Sequence, residues 1–511
     1  MANEQARALK KINYEIAKAV GIACDLAREC ALLELLFLLY KLRASRILSI
    51  SSNNSSELGK NFSLLTNLHD DAIKYCIALL VKYSSWKIKS NDPEELIPDF
   101  RLTEELEKTV RHINKNQELL GFVQLFNFTL HGERDQHCEI NIGSSMNDPA
   151  RKPLIEYFFR LEDVSNFQKE ELLDLPDLLK KIMAQHELHE ELFEIALGMN
   201  VREFCEGLAH LLALQAHNLK KFGENWNLLP NGNINATDHE NVLKFMFSFV
   251  FNVNELRESL SPKFLSYIEQ GCLLPEAVNE NELEFFHLTR FPFLRRGPII
   301  LVSPELVLDS ILDSIHYLLV ENSETKQHYL KDYSNIFIDE IVEIAEKYGY
   351  TEERRNVDLF EDKNEIGDID LVLINKNRQY LLIEAKNRSL PLDVRFRSLE
   401  ATKKRLEYLM KDWDRKTSRR RAHLQSNFSK YDITQEFQYI TVSRHPEVIS
   451  HYSDSLFLSL TEFDDWLRHG KPLIDFSEFY KERYEGSSNA LSPELQSILE
   501  KEGFSAFKKK D

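Results

Sequence analysis

Cysteine is sparse and unpaired. The six residues (Cys24, Cys30, Cys76, Cys138, Cys205 and Cys272) form no CxxC pair, which argues against a zinc site or a disulfide framework and suits a reducing compartment. Long apolar runs are absent too. The longest, ALLELLFLLY at 31–40 and FMFSFVFNV at 245–253, fall far short of the roughly 18 residues that span a bilayer, so both are expected as core segments and no membrane partner is expected. The opening MANEQARALKKINYEIAK has the period of an amphipathic helix rather than the order of a signal peptide, which predicts a cytoplasmic protein. Excess positive charge is missing: 64 Lys and Arg stand against 82 Asp and Glu, which excludes a chain that coats nucleic acid along its whole length. Internal repeats, low-complexity tracts and P-loop or helicase signatures are also lacking.

What is present divides in two. With 511 residues, 43% of them hydrophobic, the chain suits two or three units at roughly 150 residues per domain. Residues 1–330 read as a mainly helical region, with apolar spacings of three and four, one short strand around 128–150, and a weak break at the loop-like NWNLLPNGNINATD, 225–238. Near 297–320 a strand precedes a helix that Ser303 should cap, with Pro304 in its first turn. The texture changes after 330. A helix over 334–349 precedes a hairpin, Asp370–Ile374 and Gln379–Lys386, turning at Asn375–Arg378. Next come a long helix from Leu392 to Trp413 or beyond, strands at 437–443 and 455–460, and a helix whose Thr461 and Asp464 have capping-box spacing. The expectation is an α+β multidomain protein: 1–330 mainly helical, 331–480 an α/β domain with a mixed central sheet, and 481–511 a charged tail or helix.

The hairpin carries the chemistry. LVLI and YLLI, within GDIDLVLINKNRQYLLIEAKN at 367–387, are apolar enough for interior strands, yet acids and a lysine sit at one end. Glu384 and Lys386, two apart, share a face while Ala385 points away. The turn brings Asp370 back beside them. Asp368 should fall in the turn before the strand and ranks below Asp370. Two carboxylates and a backbone carbonyl are the hard oxygen ligands that Mg2+ or Mn2+ takes, and a neighbouring lysine can orient a water and offset charge on phosphorus. A basic island follows: residues 385–430 hold 14 Lys and Arg against 5 Asp and Glu. Arg388, Lys403, Lys404, Lys411, Arg415, Lys416, Arg419, Arg420 and Arg421, with Arg405 among them, are the expected phosphate contacts.

GDID at 367–370 and IEAK at 383–386 together resemble the PD-(D/E)xK nuclease superfamily, which has the restriction-endonuclease-like fold. The GDID…EAKNR form is similar to Holliday-junction-resolvase-like and type IV restriction-like members. Isoleucine and glycine stand ahead of Asp368 in place of the family's proline, and no QxxxY motif follows. The resemblance covers about a third of the chain. It implies Asp370 and Glu384 as metal ligands, Lys386 as the catalytic lysine, and an acid from the preceding helix, with Glu340 the first choice and Glu343 the second. It also implies a Mg2+- or Mn2+-dependent nuclease acting on DNA. A nuclease joined to a large helical region suits an antiviral, restriction-type defence effector, whose helices bind a partner or form a homodimer. The alternatives are an RNA nuclease, or an inactive scaffold whose hairpin acids only pair with the basic helix. The HELHEE run sets His186 and His189 three apart rather than four, which reads as a helix surface and not a metal pair.

Overall fold

The computed structural model describes residues 2–52, 57–88, 96–131, 139–146, 152–170, 175–187, 190–222, 239–279, 285–388, 390–395, 398–469 and 476–485. The loop expected at 225–238, His189, and most of the tail expected at 481–511 lie outside them. Among the described residues no helix is long and apolar enough to cross a membrane.

The chain folds as two compact units, and the first is discontinuous. Residues 1–8, 118–170 and 330–511 form one unit, and residues 9–117 with 171–329 form the other. A single cut at 330 therefore misplaces the segment 118–170. That segment holds a hairpin, β1 (Phe126–His131) and β2 (Glu139–Met146), where one short strand was expected, and a helix, Lys152–Glu170.

The second unit is mainly helical, as its spacing requires. Leu35, Leu36, Leu39, Ile73, Ile77, Leu80, Leu106 and Val110 recur at helical intervals and share one core with Phe245 and Phe249. A small mixed sheet joins it, in the order β3 (Val250–Asn252), β6 (Ile299–Val302), β5 (Phe293–Arg296), β4 (Cys272–Leu273). Ser303 precedes the Pro304–Glu321 helix as expected, but its hydroxyl donates to Glu305 and makes no cap to the backbone. His186 is buried, against Phe193 and Tyr329.

The first unit is built on a five-stranded mixed sheet ordered β11-β10-β9-β8-β7. The strands are β7 (Tyr350–Glu361), β8 (Asn364–Asn375), β9 (Tyr380–Lys386), β10 (Phe437–Ser443) and β11 (Leu456–Ser459). β7 was not expected. Its TEERRNVDLFE is too charged to show an apolar pattern, because it is the sheet edge, where charge is tolerated and discourages further pairing. The helix expected over 334–349 starts earlier, at Lys326, and runs to Glu346.

β9 is paired along both edges, with antiparallel β8 and parallel β10, and covered on both faces by separate cores, so it reads as a continuous apolar run. One face carries Leu371, Leu373, Leu381, Ile383, Ile440 and Val442 under the Lys326–Glu346 and Leu460–Arg468 helices. The other carries Val372, Leu382 and Tyr439 under Leu424 of the Arg415–Asn427 helix. The expected long helix is broken in three: Leu392–Arg395, Leu399–Leu409, then a π-helical turn, Met410–Asp414, leading into Arg415–Asn427. The Leu460–Arg468 helix is capped two residues before the expected pair, by Ser459 and Glu462 in a reciprocal capping box.

Candidate active site

The β8–β9 ladder ends at the pair Leu371–Ile383, after which β8 stays with β7 and β9 with β10 as far as Lys386–Ser443. Asp370 and Glu384 occupy the next positions, where the two strands part. An amide at such a fork loses its ladder partner and needs another. Asp370 supplies it, since its Oδ2 accepts from the Ala385 amide at 2.6 Å. The fork thus explains both why a carboxylate sits here and how it is aimed.

Three of the expected residues converge. Lys386 Nζ donates to Glu384 Oε1 at 2.6 Å and lies 3.7 Å from Asp370 Oδ2. Ala385 points to the opposite core, as the alternation demands. Asp368 is not in a turn: it lies within β8, opposite Asp358 of β7 and two residues from Asp370 on the same face.

The cluster has two further partners: Tyr439, which was not singled out from sequence, and Arg420, which was expected as a phosphate contact or, in the scaffold alternative, within the basic helix that pairs with the hairpin acids. Tyr439 of β10 donates to Glu384 Oε2 at 2.9 Å. Arg420 reaches in from the Arg415–Asn427 helix, its Nη1 donating to both Glu384 oxygens, at 2.6 Å for Oε2, and its Nη2 standing 3.6 Å from Asp368 Oδ1. The only legible signals were Arg420's spacing with Thr417 and Leu424 on a buried helical stripe, and Tyr439's place on an alternating strand.

The charges set the proton affinities. Burial pushes the Asp370 carboxyl up to about 6, with Glu384 and Asp368 adding to the rise and Lys386 and the Ala385 amide opposing it. Glu384 is only 3% exposed. Burial alone would raise its carboxyl, but Lys386 and Arg420 more than reverse that and hold it below the usual range. Of the pair, Asp370 is the one that holds a proton in mild acid.

Glu340 does not join the cluster. It sits on the Lys326–Glu346 helix, which covers the opposite face, and its carboxylate pairs with Arg444. Arg444 packs on Phe337 at 4.5 Å, and its Nε donates to Asn387 Oδ1 at 3.1 Å, fastening this helix to the ends of β9 and β10. Glu343, the second choice, lies on the same helix.

The basic island is largely spent on internal pairs. Lys404 pairs with Glu400, Arg405 with Glu447, Lys416 with Asp412, Arg419 with Glu361 and Arg420 with Glu384. Arg421 donates to the Asp454 carbonyl. Arg388 is exposed and donates to the Tyr408 hydroxyl at 2.6 Å. Lys403, Lys411 and Arg415 are exposed at intervals of eight and four along the helix, and make no ion pair among the described residues.

Among the described residues no three His, Cys, Asp or Glu side chains form a ready-made metal cage. A magnesium-like ion needs only one or two carboxylates and keeps several waters. Asp370 and Glu384 match that donor set by chemistry, and Asp370, with its side chain 20% exposed, has an oxygen outside its bond to Ala385. No family model, curated protein or solved structure matches the chain.

Proposed function

We propose that the first unit is a restriction-endonuclease-like, PD-(D/E)xK-type nuclease that hydrolyses phosphodiester bonds with Mg2+ or Mn2+, DNA being the favoured substrate. The observation that carries this reading is the fork between β8 and β9, where Asp370, Glu384 and Lys386 meet. The sheet order supports it as well: a helix, an antiparallel run β7-β8-β9, a helix, then two parallel strands. Asp370 and Glu384 would hold the ion, whose chemistry is to lower the pKa of a bound water and to offset phosphoryl charge.

The chain's own groups do the rest. Lys386, at the end of β9, presents an ammonium where a phosphate oxygen gains charge in the transition state. Lys403, Lys411 and Arg415, which make no ion pair among the described residues, offer cations to the phosphate backbone. The helical unit is read as the part that recruits a partner or a second copy of the chain, as a defence effector would need.

One observation favours a second reading. A carboxylate offers about four acceptor positions, and those of Glu384 are filled by Arg420 on both oxygens, Lys386 on one and Tyr439 on the other. A buried network satisfied in this way is what an inactive scaffold would keep. Incubation with supercoiled plasmid and with structured RNA, in Mg2+ or in EDTA, separates the readings. Nicking or linearisation of plasmid in Mg2+ alone is expected. Cutting of RNA alone would move the substrate to RNA, and cutting of neither by folded protein would leave the scaffold.

A further inference from the structure

We propose that Arg420 is a resident cation of this site: its guanidinium holds both Glu384 oxygens, which a divalent ion would take, and the ion gains Glu384 only as the Arg415–Asn427 helix gives Arg420 up. The inference rests on the nuclease reading above and adds a residue to it. Arg420 then has an inhibitory resting state on Glu384, and is a phosphate contact only once it is released.

The place it occupies is one made of oxygen. Besides both Glu384 oxygens and nearby Asp368, the guanidinium meets the Ile366 carbonyl, which accepts from Nε at 3.5 Å. Carboxylates and a carbonyl are the ligands a hard cation takes. A guanidinium supplies only donors and stays charged at any accessible pH. It therefore neutralises the site without any ion.

The backbone is shaped around it. Gly367 has φ +121°, a conformation open to glycine, and a Cβ at that position would fall on the Arg420 guanidinium. The glycine of GDID is thus explained by the arginine, which comes from 53 positions further along the chain. Arg420 is itself buried, on the same helical stripe as Thr417 and Leu424.

Competition follows from the count of lone pairs. With Arg420 in place Glu384 has no acceptor position left, so an ion can reach only Asp370. An ion that binds both carboxylates must displace a donor from Glu384, and of its three donors only the Arg420 guanidinium holds both oxygens, so the ion's apparent affinity is scaled down to the fraction of molecules in which Arg420 is away. Once out, Arg420 has a substitute partner in a nucleic-acid phosphate, to which a guanidinium binds in a bidentate fork.

The test titrates Mn2+ alone, by calorimetry, into the full-length wild type, Arg420→Gln and Arg420→Lys, each with and without Asp370→Asn. Circular dichroism establishes that each variant is folded. Arg420→Gln is expected to bind Mn2+ roughly tenfold or more tightly than the wild type, Arg420→Lys to fall between, and the gain to vanish when Asp370→Asn is added. In the wild type, which needs no substitution, Mn2+ is expected to speed hydrogen exchange along 415–427. Equal or weaker binding by Arg420→Gln, or exchange in that helix unchanged or slowed, overturns the proposal while leaving the nuclease reading intact. If no variant shows Mn2+ binding that depends on Asp370, both fail.

Discussion

Asp370 carries the sharpest single-residue consequence. Its folded carboxyl titrates near 6 against an ordinary 3.8, so between about pH 4 and 6 the folded state holds more protons than the unfolded one. Stability is then lost as pH rises through that window, and is fully present below it. Asp370→Asn removes the ionised form. Relative to the wild type it should gain about 1–3 kcal/mol above pH 6 and nothing below pH 4, read as the difference in melting curves across pH. Added Mg2+ should narrow the gap by stabilising only the wild type. A gap that stays constant with pH would show that Asp370 is not the group under charge pressure. Asp370, Glu384 and Lys386 were legible because strand alternation is a local rule. Tyr439 was not, and Arg420 was legible only as a member of the basic island, since they reach Glu384 across separations of 55 and 36 residues. A charge count cannot tell a cation facing solvent from one turned inward onto a carboxylate.

At the scale of elements, the Lys152–Glu170 helix is fastened to the Leu460–Arg468 helix by a buried ion pair. Arg160 and Glu462, both 0% exposed, form two parallel hydrogen bonds of 2.8 Å, and Glu462 also accepts from Tyr484 at 2.7 Å and from the Ser459 amide at 2.8 Å. Burial would raise the Glu462 carboxyl, but Arg160 overrides it and brings it down to about 2. The folded value is depressed, so this contribution is present above the ordinary 4.5 and lost as pH falls through 2. Removing one partner strands the other without water. Glu462→Ala should therefore cost about 3–5 kcal/mol, whereas Arg160→Met combined with Glu462→Met should cost far less. Denaturant midpoints at pH 7 check this, and equal losses in the single and double variants would contradict it. The elements after 330 were mostly readable from apolar periods and caps. The edge strand β7 was not, because exposure on an edge removes the period that betrays a strand.

The whole molecule is less modular than its sequence suggests. Residues 118–170 belong with 330–485: Leu125, Phe126, Leu154, Tyr157, Phe158 and Leu161 share a core with Leu399, Leu409, Trp413, Val448, Ile449 and Phe457. Nothing local marks that partnership, since each piece shows only which of its faces is apolar and not what will cover it. A fragment of residues 331–485 alone should expose this core, bind hydrophobic dyes and lack a cooperative melt. A sharp melt matching the full chain would show that the segment is dispensable. The central claim, that the fork between β8 and β9 is a hydrolytic site, is tested most directly on the full chain with plasmid DNA in Mg2+, comparing the wild type with Lys386→Ala. The account predicts cleavage by the wild type, abolished by EDTA and reduced by about a hundredfold or more in a variant that stays folded, as expected when a group that stabilises transition-state charge is removed. Cleavage at the wild-type rate by folded Lys386→Ala would contradict it.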